Sequence, residues 1–307
     1  MQTLPIYLSL LPQISLVAVF LLIPGCATLR NTTARHETER SARRFSQLGM
    51  DAFQRGAWDE ASWQFEQALE ICSDDDEILA NHSRALWNLG KRPEAVRQMV
   101  AAIKSNEGAN PALIVELGEM LFKMGDINEA TLQADLALEL NPKDSRVWLL
   151  KGAIKQRAEN RRDALMCYHR ALSYDPENIE IQLATAQIYR ELGRPKRSLA
   201  TLERASRRRE KSKWTASVHH LRGLAFHQLR DYDAAVASLT LANRTTSLPS
   251  AQILYDLSLA QMKAGQIAEA QRSSEDAMQI ATAEQQHRIR ELQYELARLQ
   301  PHSIMSR

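Results

Sequence analysis

Histidine, cysteine and paired carboxylates are the residues through which this chain of 307 residues could carry catalysis or bind a metal ion. The closest grouping is His219, His220 and His227. His220 and His227 are seven positions apart, about 10.5 Å along a helix, which is too far for both to bind one metal ion. The sequence has no phosphate-binding loop, dinucleotide glycine motif, HExxH or CxxC pair. It therefore predicts no catalytic residue, no metal site and no cofactor.

Cys26 is the one residue whose surroundings suggest a covalent modification. Residues 1–25 carry no charged side chain, and the apolar run ISLVAVFLLI at 14–23 has the length of a signal-peptide core, short for a membrane span. The run ends in Leu22-Ile23-Pro24-Gly25-Cys26, which resembles a bacterial lipobox. This resemblance implies that 1–25 is a signal peptide removed before Cys26, whose thiol and new amine then carry acyl chains. We therefore expect a membrane lipoprotein facing the periplasm, with the outer membrane as its location.

The charges after the apolar run favour a different location. They are mostly arginines: Arg30, Arg35, Arg40, Arg43 and Arg44. By the positive-inside rule this excess keeps the following domain in the cytoplasm. An uncleaved inner-membrane anchor and a wrongly assigned start codon therefore remain alternatives. Residues 26–41 are polar and lack an apolar stripe, so we interpret them as a tether to the folded part.

The rest of the chain repeats one short pattern, G-x-x-x-E-A. Aligning on its alanine gives Ala61, Ala95, Ala130, Ala164, Ser198, Ala235 and Ala270, with spacings of 34 to 37 residues. A second alanine follows seven positions later in every copy. Small residues at these positions, and glycines such as Gly118 and Gly152, allow two helices to approach closely. The pattern therefore predicts repeated helical hairpins that stack to bury their apolar faces.

Period and pattern resemble the tetratricopeptide repeat (TPR), a pair of antiparallel helices per unit. We place the units at 42–75, 76–109, 111–144, 145–178, 179–212, 216–249 and 251–284. The resemblance implies an all-α, right-handed TPR solenoid of about seven hairpins. Residues 285–300 predict a capping helix with the stripe Ile289, Leu292, Leu296 and Leu299, followed by a tail at 301–307. The second, fifth and seventh units are more degenerate, and Ser83 and Ser258 stand where a helix-packing glycine is usual.

Composition agrees with a helical protein. Only 11 glycines, 10 prolines and 6% aromatic residues argue against an all-β fold, and three cysteines are too few for a disulfide scaffold. The formal net charge of +2 gives no general reason to expect nucleic acid as a partner.

The TPR resemblance implies a concave groove, lined by the first helix of each pair, that binds a protein or peptide. The residues assigned to it are Phe53, Arg84, Trp87, Glu119, Phe122, Lys123, Arg157, Arg190, His220, His227 and Tyr255. Phe53, Trp87 and Phe122 occupy the same place in three consecutive units and suggest an aromatic ladder for a peptide. The alternative is that these rings serve packing alone. The Lys/Asn clamp for a terminal carboxylate is absent from these positions.

A basic segment separates the fifth and sixth units. Its cations are Arg204, Arg207, Arg208, Arg209, Lys211 and Lys213, opposed only by Glu210. It is interpreted either as a solvated loop or as a contact for anionic lipid or an acidic partner.

Taken together, these patterns predict a non-enzymatic, lipid-anchored TPR scaffold of the bacterial cell envelope that helps to assemble an envelope complex. The alternative is a cytoplasmic or inner-membrane regulatory adaptor with an uncleaved anchor.

Overall fold

The computed structural model describes residues 26–206 and 215–299, which form fifteen helices and no strand. In chain order the helices are α1 (Cys26–Gln54), α2 (Trp58–Ile71), α3 (Asp76–Asn88), α4 (Arg92–Ser105), α5 (Pro111–Met124), α6 (Ile127–Leu140), α7 (Ser145–Arg157), α8 (Arg161–Tyr174), α9 (Ile179–Glu191), α10 (Pro195–Ser206), α11 (Ala216–Gln228), α12 (Tyr232–Thr245), α13 (Ala251–Lys263), α14 (Ile267–Ile280) and α15 (Ala283–Leu299). None of these helices is long and apolar enough to cross a membrane.

Consecutive helices pack as seven hairpins, from α1 with α2 to α13 with α14, and α15 packs on the last pair. Each second helix also packs on the first helix of the next hairpin, so the hairpins stack into a solenoid. The predicted fold class, an all-helical solenoid with a capping helix, is confirmed. In the cap Ile289, Leu292 and Leu296 are buried as expected, but Leu299 is 53% exposed because it is the last residue of α15.

The first helix is longer than the sequence indicated. It begins at Cys26 and has 29 residues, about twice the 14 of its partner α2. Residues 26–41 are therefore helical although they lack an apolar stripe. They extend a helix whose later turns are anchored by the buried residues Ala42 and Ala52, and adding turns to an existing helix is easier than starting one. Their role as a tether stays a prediction.

The repeated small residues bring the two helices of a hairpin into direct contact. A Cβ atom added at Gly152 would lie 2.3 Å from Cε1 of Tyr168, a residue only 1% exposed. Gly49 meets Phe65, and Gly223 meets Leu239, in the same way. Ser83 and Ser258, which make their units look degenerate in sequence, fit this position by another means. Their hydroxyl groups donate hydrogen bonds of 2.7 Å to the backbone carbonyls of Ala95 and Ala270 in the partner helix.

The hairpin turns need one residue with positive φ. Five turns place glycine there: Gly56, Gly90, Gly125, Gly193 and Gly265. Glu159 and Arg230 adopt the same conformation in the remaining two turns, with φ of 59° and 63°.

The first helices form the inner layer of the solenoid. Neighbouring first helices contact one another, for example α5 with α7 and α9 with α11, whereas in the described part of the chain no two second helices make comparable contacts. The concave surface is therefore lined by the odd-numbered helices α1 to α13.

Candidate functional site

The concave surface holds a cavity of about 490 Å³ between α5, α7, α8 and α9, which we call the central cavity. This volume lies in the range typical of ligand pockets. Its apolar floor consists of Phe122, Leu149, Leu150, Ala153, Ile181 and Ala184. Most of its remaining lining is polar, so an apolar floor is surrounded by groups that can make directional contacts.

Small side chains open the central cavity. Ala153 stands where the third unit has Glu119 and the fifth has Gln187, and Ala184 stands where the fourth unit has Leu150. Both alanines are half-buried and line the cavity. The backbone of α7 and α9 is held in place by neighbouring packing, so the missing side-chain volume remains as open space.

One rim of the central cavity carries an ion pair and a free cation. Arg146 donates to Oε1 of Glu119 through Nη2 at 3.0 Å and through Nε at 3.3 Å. Burial raises the pKa of Glu119, and Arg146 opposes that shift. Lys123 is exposed and, in the described part of the chain, forms no ion pair within 4 Å; its charge acts on Glu119 only from a longer distance. A ligand carboxylate could therefore pair with Lys123 without displacing an existing partner.

Four polar side chains beside the central cavity form a hydrogen-bonded chain. The Tyr168 hydroxyl donates to Oε1 of Gln156 at 2.7 Å, and Nε2 of Gln156 donates to Oε1 of Glu191 at 2.7 Å. Gln187 donates to the same carboxylate oxygen at 3.0 Å. Burial strongly raises the pKa of Tyr168, so its hydroxyl stays protonated and remains a donor. This chain links α7, α8 and α9 and holds the cavity in one shape.

A second, smaller cavity of about 160 Å³ lies beside it on the N-terminal side. It brings together five residues that the sequence assigned to the groove: Phe53, Arg84, Trp87, Glu119 and Lys123. Arg84 is already engaged, because its guanidinium donates to both oxygens of Glu116 at 2.8 and 2.7 Å. That hydrogen bonding raises the pKa of Arg84. Arg84 therefore links α3 to α5, and its charge is compensated within the fold.

The three aromatic residues of the proposed ladder are half-buried. Phe53 packs on the core of the first hairpin and meets Trp58 edge-on at 4.8 Å. Trp87 and Phe122 pack on one common core. Arg92 lies 5.5 Å from the centre of the Trp87 ring, and Arg157 lies 5.8 Å from that of Phe122. Part of each ring is therefore buried against the core, as expected if these rings serve packing. Phe122 also lines the central cavity.

The remaining groove residues are spread towards the C-terminus. The Arg190 backbone carbonyl accepts from Gln228 at 3.2 Å, next to the following hairpin turn. His220 contacts Asp256 at 2.7 Å, and His227 meets Tyr232 edge-on. Tyr255 lies under Arg288 of the capping helix, 4.7 Å from its guanidinium carbon. These four residues therefore make separate contacts, and none of them lines the central cavity.

Cys26 is the first residue of α1, and its lipidation stays a prediction. Arg204 is exposed on α10, while Arg207, Arg208, Arg209, Lys211 and Lys213 lie outside the described residues.

One arrangement has the residue types of a catalytic triad but not its geometry. Ser62 Oγ lies 3.1 Å from Nε2 of His82, and Glu66 lies 3.7 Å from the same nitrogen. A triad needs the acid on the other ring nitrogen, and among the described residues Nδ1 of His82 has no hydrogen-bond partner. Ser62 and His82 are also buried, at 5% and 3% exposed. Within residues 26–206 and 215–299, no group of three His, Cys, Asp or Glu residues could hold a metal ion.

Sequence reasoning missed eight residues that line the central cavity: Arg146, Leu149, Leu150, Tyr168, Asn178, Glu180, Ile181 and Ala184. Leu149 precedes Ala153 by one helical turn, so the helical period alone could have added it. Arg146 and Tyr168 gave no such signal, because they reach the cavity from a helix start and from a second helix.

Models of the tetratricopeptide repeat match residues 157–222 and 216–244. The fold is similar to a tetratricopeptide repeat protein from Parabacteroides merdae, with a TM-score of 0.64, 15% identity, and coverage of 84% of this chain and 99% of that one. It is also similar to Pseudomonas aeruginosa pilF, with a TM-score of 0.59, 18% identity, and coverage of 76% and 99%. Yeast Tom70 gives a TM-score of 0.58 at 16% identity over 88% of this chain and 56% of its own.

A stretch of 105 residues, 34% of this chain, is 29% identical to human General transcription factor 3C polypeptide 3, of which it spans 12%. At these identities the structural likenesses show the fold alone. Together with the matched models they lead to one statement: the chain contains tetratricopeptide repeats and folds as a tetratricopeptide repeat solenoid.

Proposed function

We propose that this protein is a non-enzymatic scaffold that binds a segment of another protein on its concave surface, centred on the central cavity. A tetratricopeptide fold is generally an interaction scaffold of this kind. The observation that carries the proposal is the 490 Å³ cavity between α5, α7, α8 and α9, with its apolar floor and its charged rim. An aliphatic or aromatic side chain of the partner would occupy the space left by Ala153 and Ala184.

The rim sets the polar part of this recognition. Lys123 offers an exposed cation beside Phe122, and the exposed carboxylate of Glu180 lies on the opposite side, at the start of α9. A partner segment with an acidic residue on one side of its apolar anchor and a basic residue on the other would form ion pairs with both Lys123 and Glu180. The fixed polar chain below it means that little ordering is required on binding.

Filling the cavity tests this proposal. Ala153→Trp should place an indole in the cavity and abolish partner binding, while Met166→Trp on α8, where Met166 is 63% exposed, is the matched control. A photo-crosslinking residue at Leu149 should capture the partner in cells, and the same residue at Met166 should not. Binding that survives Ala153→Trp in a folded protein would contradict the proposal.

We further propose that the scaffold is anchored by acyl chains on Cys26, faces the periplasm and helps to assemble an envelope complex. The motif Leu22-Ile23-Pro24-Gly25-Cys26 supports this. Labelling with a fatty-acid analogue, compared between the natural protein and Cys26→Ala, is the test. Label that is lost on mutation supports the lipoprotein. No label on either protein would favour the alternative adaptor at the inner membrane or in the cytoplasm, which the five arginines from Arg30 to Arg44 support.

A further inference from the structure

Positive charge is concentrated on the hairpin turns of the fourth and fifth units. Residues 155–163 and 189–197 contain eight cations and three carboxylates, a net charge of +5 in a chain whose total is only +2. The cations are Lys155, Arg157, Arg161, Arg162, Arg190, Arg194, Lys196 and Arg197. We call this set the basic edge. The corresponding nine-residue spans of the other five units each carry a net charge between −1 and +1.

The two turns are adjacent in the fold. Arg161 Nε lies 3.7 Å from Oε2 of Glu191, and Gln156 donates to the same carboxylate. The next turn adjoins them, because Gln228 bonds the backbone of Arg190 and Leu229 joins Arg194 and Arg197 around a recess of about 540 Å³. The basic edge is therefore one continuous surface.

Most of these cations are not neutralised by the fold. Of the eight, only Arg161 has a carboxylate within 4 Å in the described part of the chain, while Arg197 lies over the ring of Tyr189 at 5.9 Å. Arg157, Arg162, Arg194 and Lys196 are exposed without such a partner. Nε of Arg190 is buried and has no hydrogen-bond partner within residues 26–206 and 215–299. Like charges at this density repel one another, so an anionic partner would reduce the electrostatic repulsion between these cations.

Local helix stability does not account for this charge. A cation at a helix N-terminus opposes the helix dipole, and the other second helices carry an acidic residue in their first turn. Helix α10 has none. Directly before the first aligned alanine, units one to four and seven have Glu60, Glu94, Glu129, Asp163 and Glu269, whereas the fifth unit has Arg197 before Ser198. The fifth unit therefore has a cation at a position where five other units have a carboxylate.

We propose that the basic edge is a second interaction surface, which adjoins the concave groove at Arg157 and Arg190 and is centred on the recess beside Arg194, and that it binds an acidic segment of a partner protein. Arginine binds carboxylate in a bidentate manner, and the recess beside Arg194 with the apolar wall of Leu229 suits side chains on a peptide better than a flat bilayer. This surface does not depend on what occupies the central cavity.

Fluorescence anisotropy with a labelled glutamate-rich peptide tests the proposal, using the full chain at a salt concentration of about 150 mM. Arg194→Glu/Lys196→Glu should weaken binding by about tenfold or more. The matched control Lys104→Glu/Lys143→Glu makes the same charge change at exposed positions between units and should change binding less than about threefold. A glutamine-substituted peptide should not bind.

Three results would overturn the proposal. One is equal weakening by the two charge-reversal variants, which would mean a general charge effect. Another is loss of binding only in Arg207→Gln/Arg208→Gln/Arg209→Gln, which would assign the peptide to the neighbouring basic segment. The third is binding to vesicles containing phosphatidylglycerol but not to the peptide, which would make the edge a membrane contact.

Discussion

Replacing Gly152 by alanine tests the packing rule on which the whole solenoid rests. The new Cβ atom would lie 2.3 and 2.5 Å from Cε1 and Cδ1 of Tyr168, more than 1 Å inside normal carbon contact at about 3.5–4 Å. Tyr168 is 1% exposed and its hydroxyl donates to Gln156 at 2.7 Å, so a shift of the ring away from the new Cβ atom would break this hydrogen bond. We therefore expect Gly152→Ala to destabilise the protein.

The magnitude follows from three contributions. Overpacking of this kind costs about 1–3 kcal/mol. Loss of the Tyr168–Gln156 hydrogen bond adds about 1 kcal/mol. Alanine favours the helix over glycine by about 1 kcal/mol, which offsets part of the cost. The expected net loss in the free energy of unfolding is therefore about 1–3 kcal/mol, measurable as a lower denaturation midpoint by circular dichroism.

The chain supplies both a control and a rescue. At Gly118 the nearest atom is Cδ2 of Leu150, the end of a flexible side chain at 2.8 Å, so Gly118→Ala should cost less. The fifth unit already combines Ala186 with Leu202, both buried. Adding Tyr168→Leu to Gly152→Ala copies that pair and should recover part of the lost stability. A Gly152→Ala protein as stable as the natural one, or strictly additive effects in the double variant, would refute the reasoning.

Three further predictions concern stability. Ala171 is fully buried in the stack, so Ala171→Trp should lower the denaturation midpoint, corresponding to about 1–3 kcal/mol of overpacking, and an unchanged midpoint would contradict the predicted register. Burial lowers the pKa of His82 below 6.5, so the unfolded chain binds the proton more readily; stability from this group is present above pH 6.5 and lost as the pH falls through the lowered value. The free energy of unfolding measured in urea should therefore differ less between pH 7.5 and pH 5.5 in the His82→Leu variant than in the natural protein. Leucine is chosen because Leu117 and Leu257 occupy the same position in two other units. Glu116→Gln should destabilise the protein by about 1 kcal/mol, because it removes the charge that compensates half-buried Arg84. The stability of the double variant Arg84→Met/Glu116→Gln should be closer to that of the natural protein, because no uncompensated charge is left.

The sequence determined the fold because the fold depends on local, repeated requirements. Two alanines seven positions apart and a turn glycine recur in phase, and each one follows from helix contact or positive φ. Ser83 and Ser258 looked like weak points only because a hydroxyl that bonds the partner helix cannot be recognised from the residue type. The helix over residues 26–41 was not predicted, because helix extension from an anchored segment needs no apolar stripe.

The candidate sites depended on tertiary structure. The sequence identified groove positions, but only the stacking of α5, α7 and α9 shows that Ala153 and Ala184 leave a cavity, and that Arg146 and Tyr168 reach it from other elements. Likewise, only the fold shows that Arg84 is already paired with Glu116 and that the cations of two separate turns meet at one edge. Helical period fixes which side of a helix a residue occupies, whereas ion pairing, cavity volume and charge density arise between units at distances that no repeat pattern encodes.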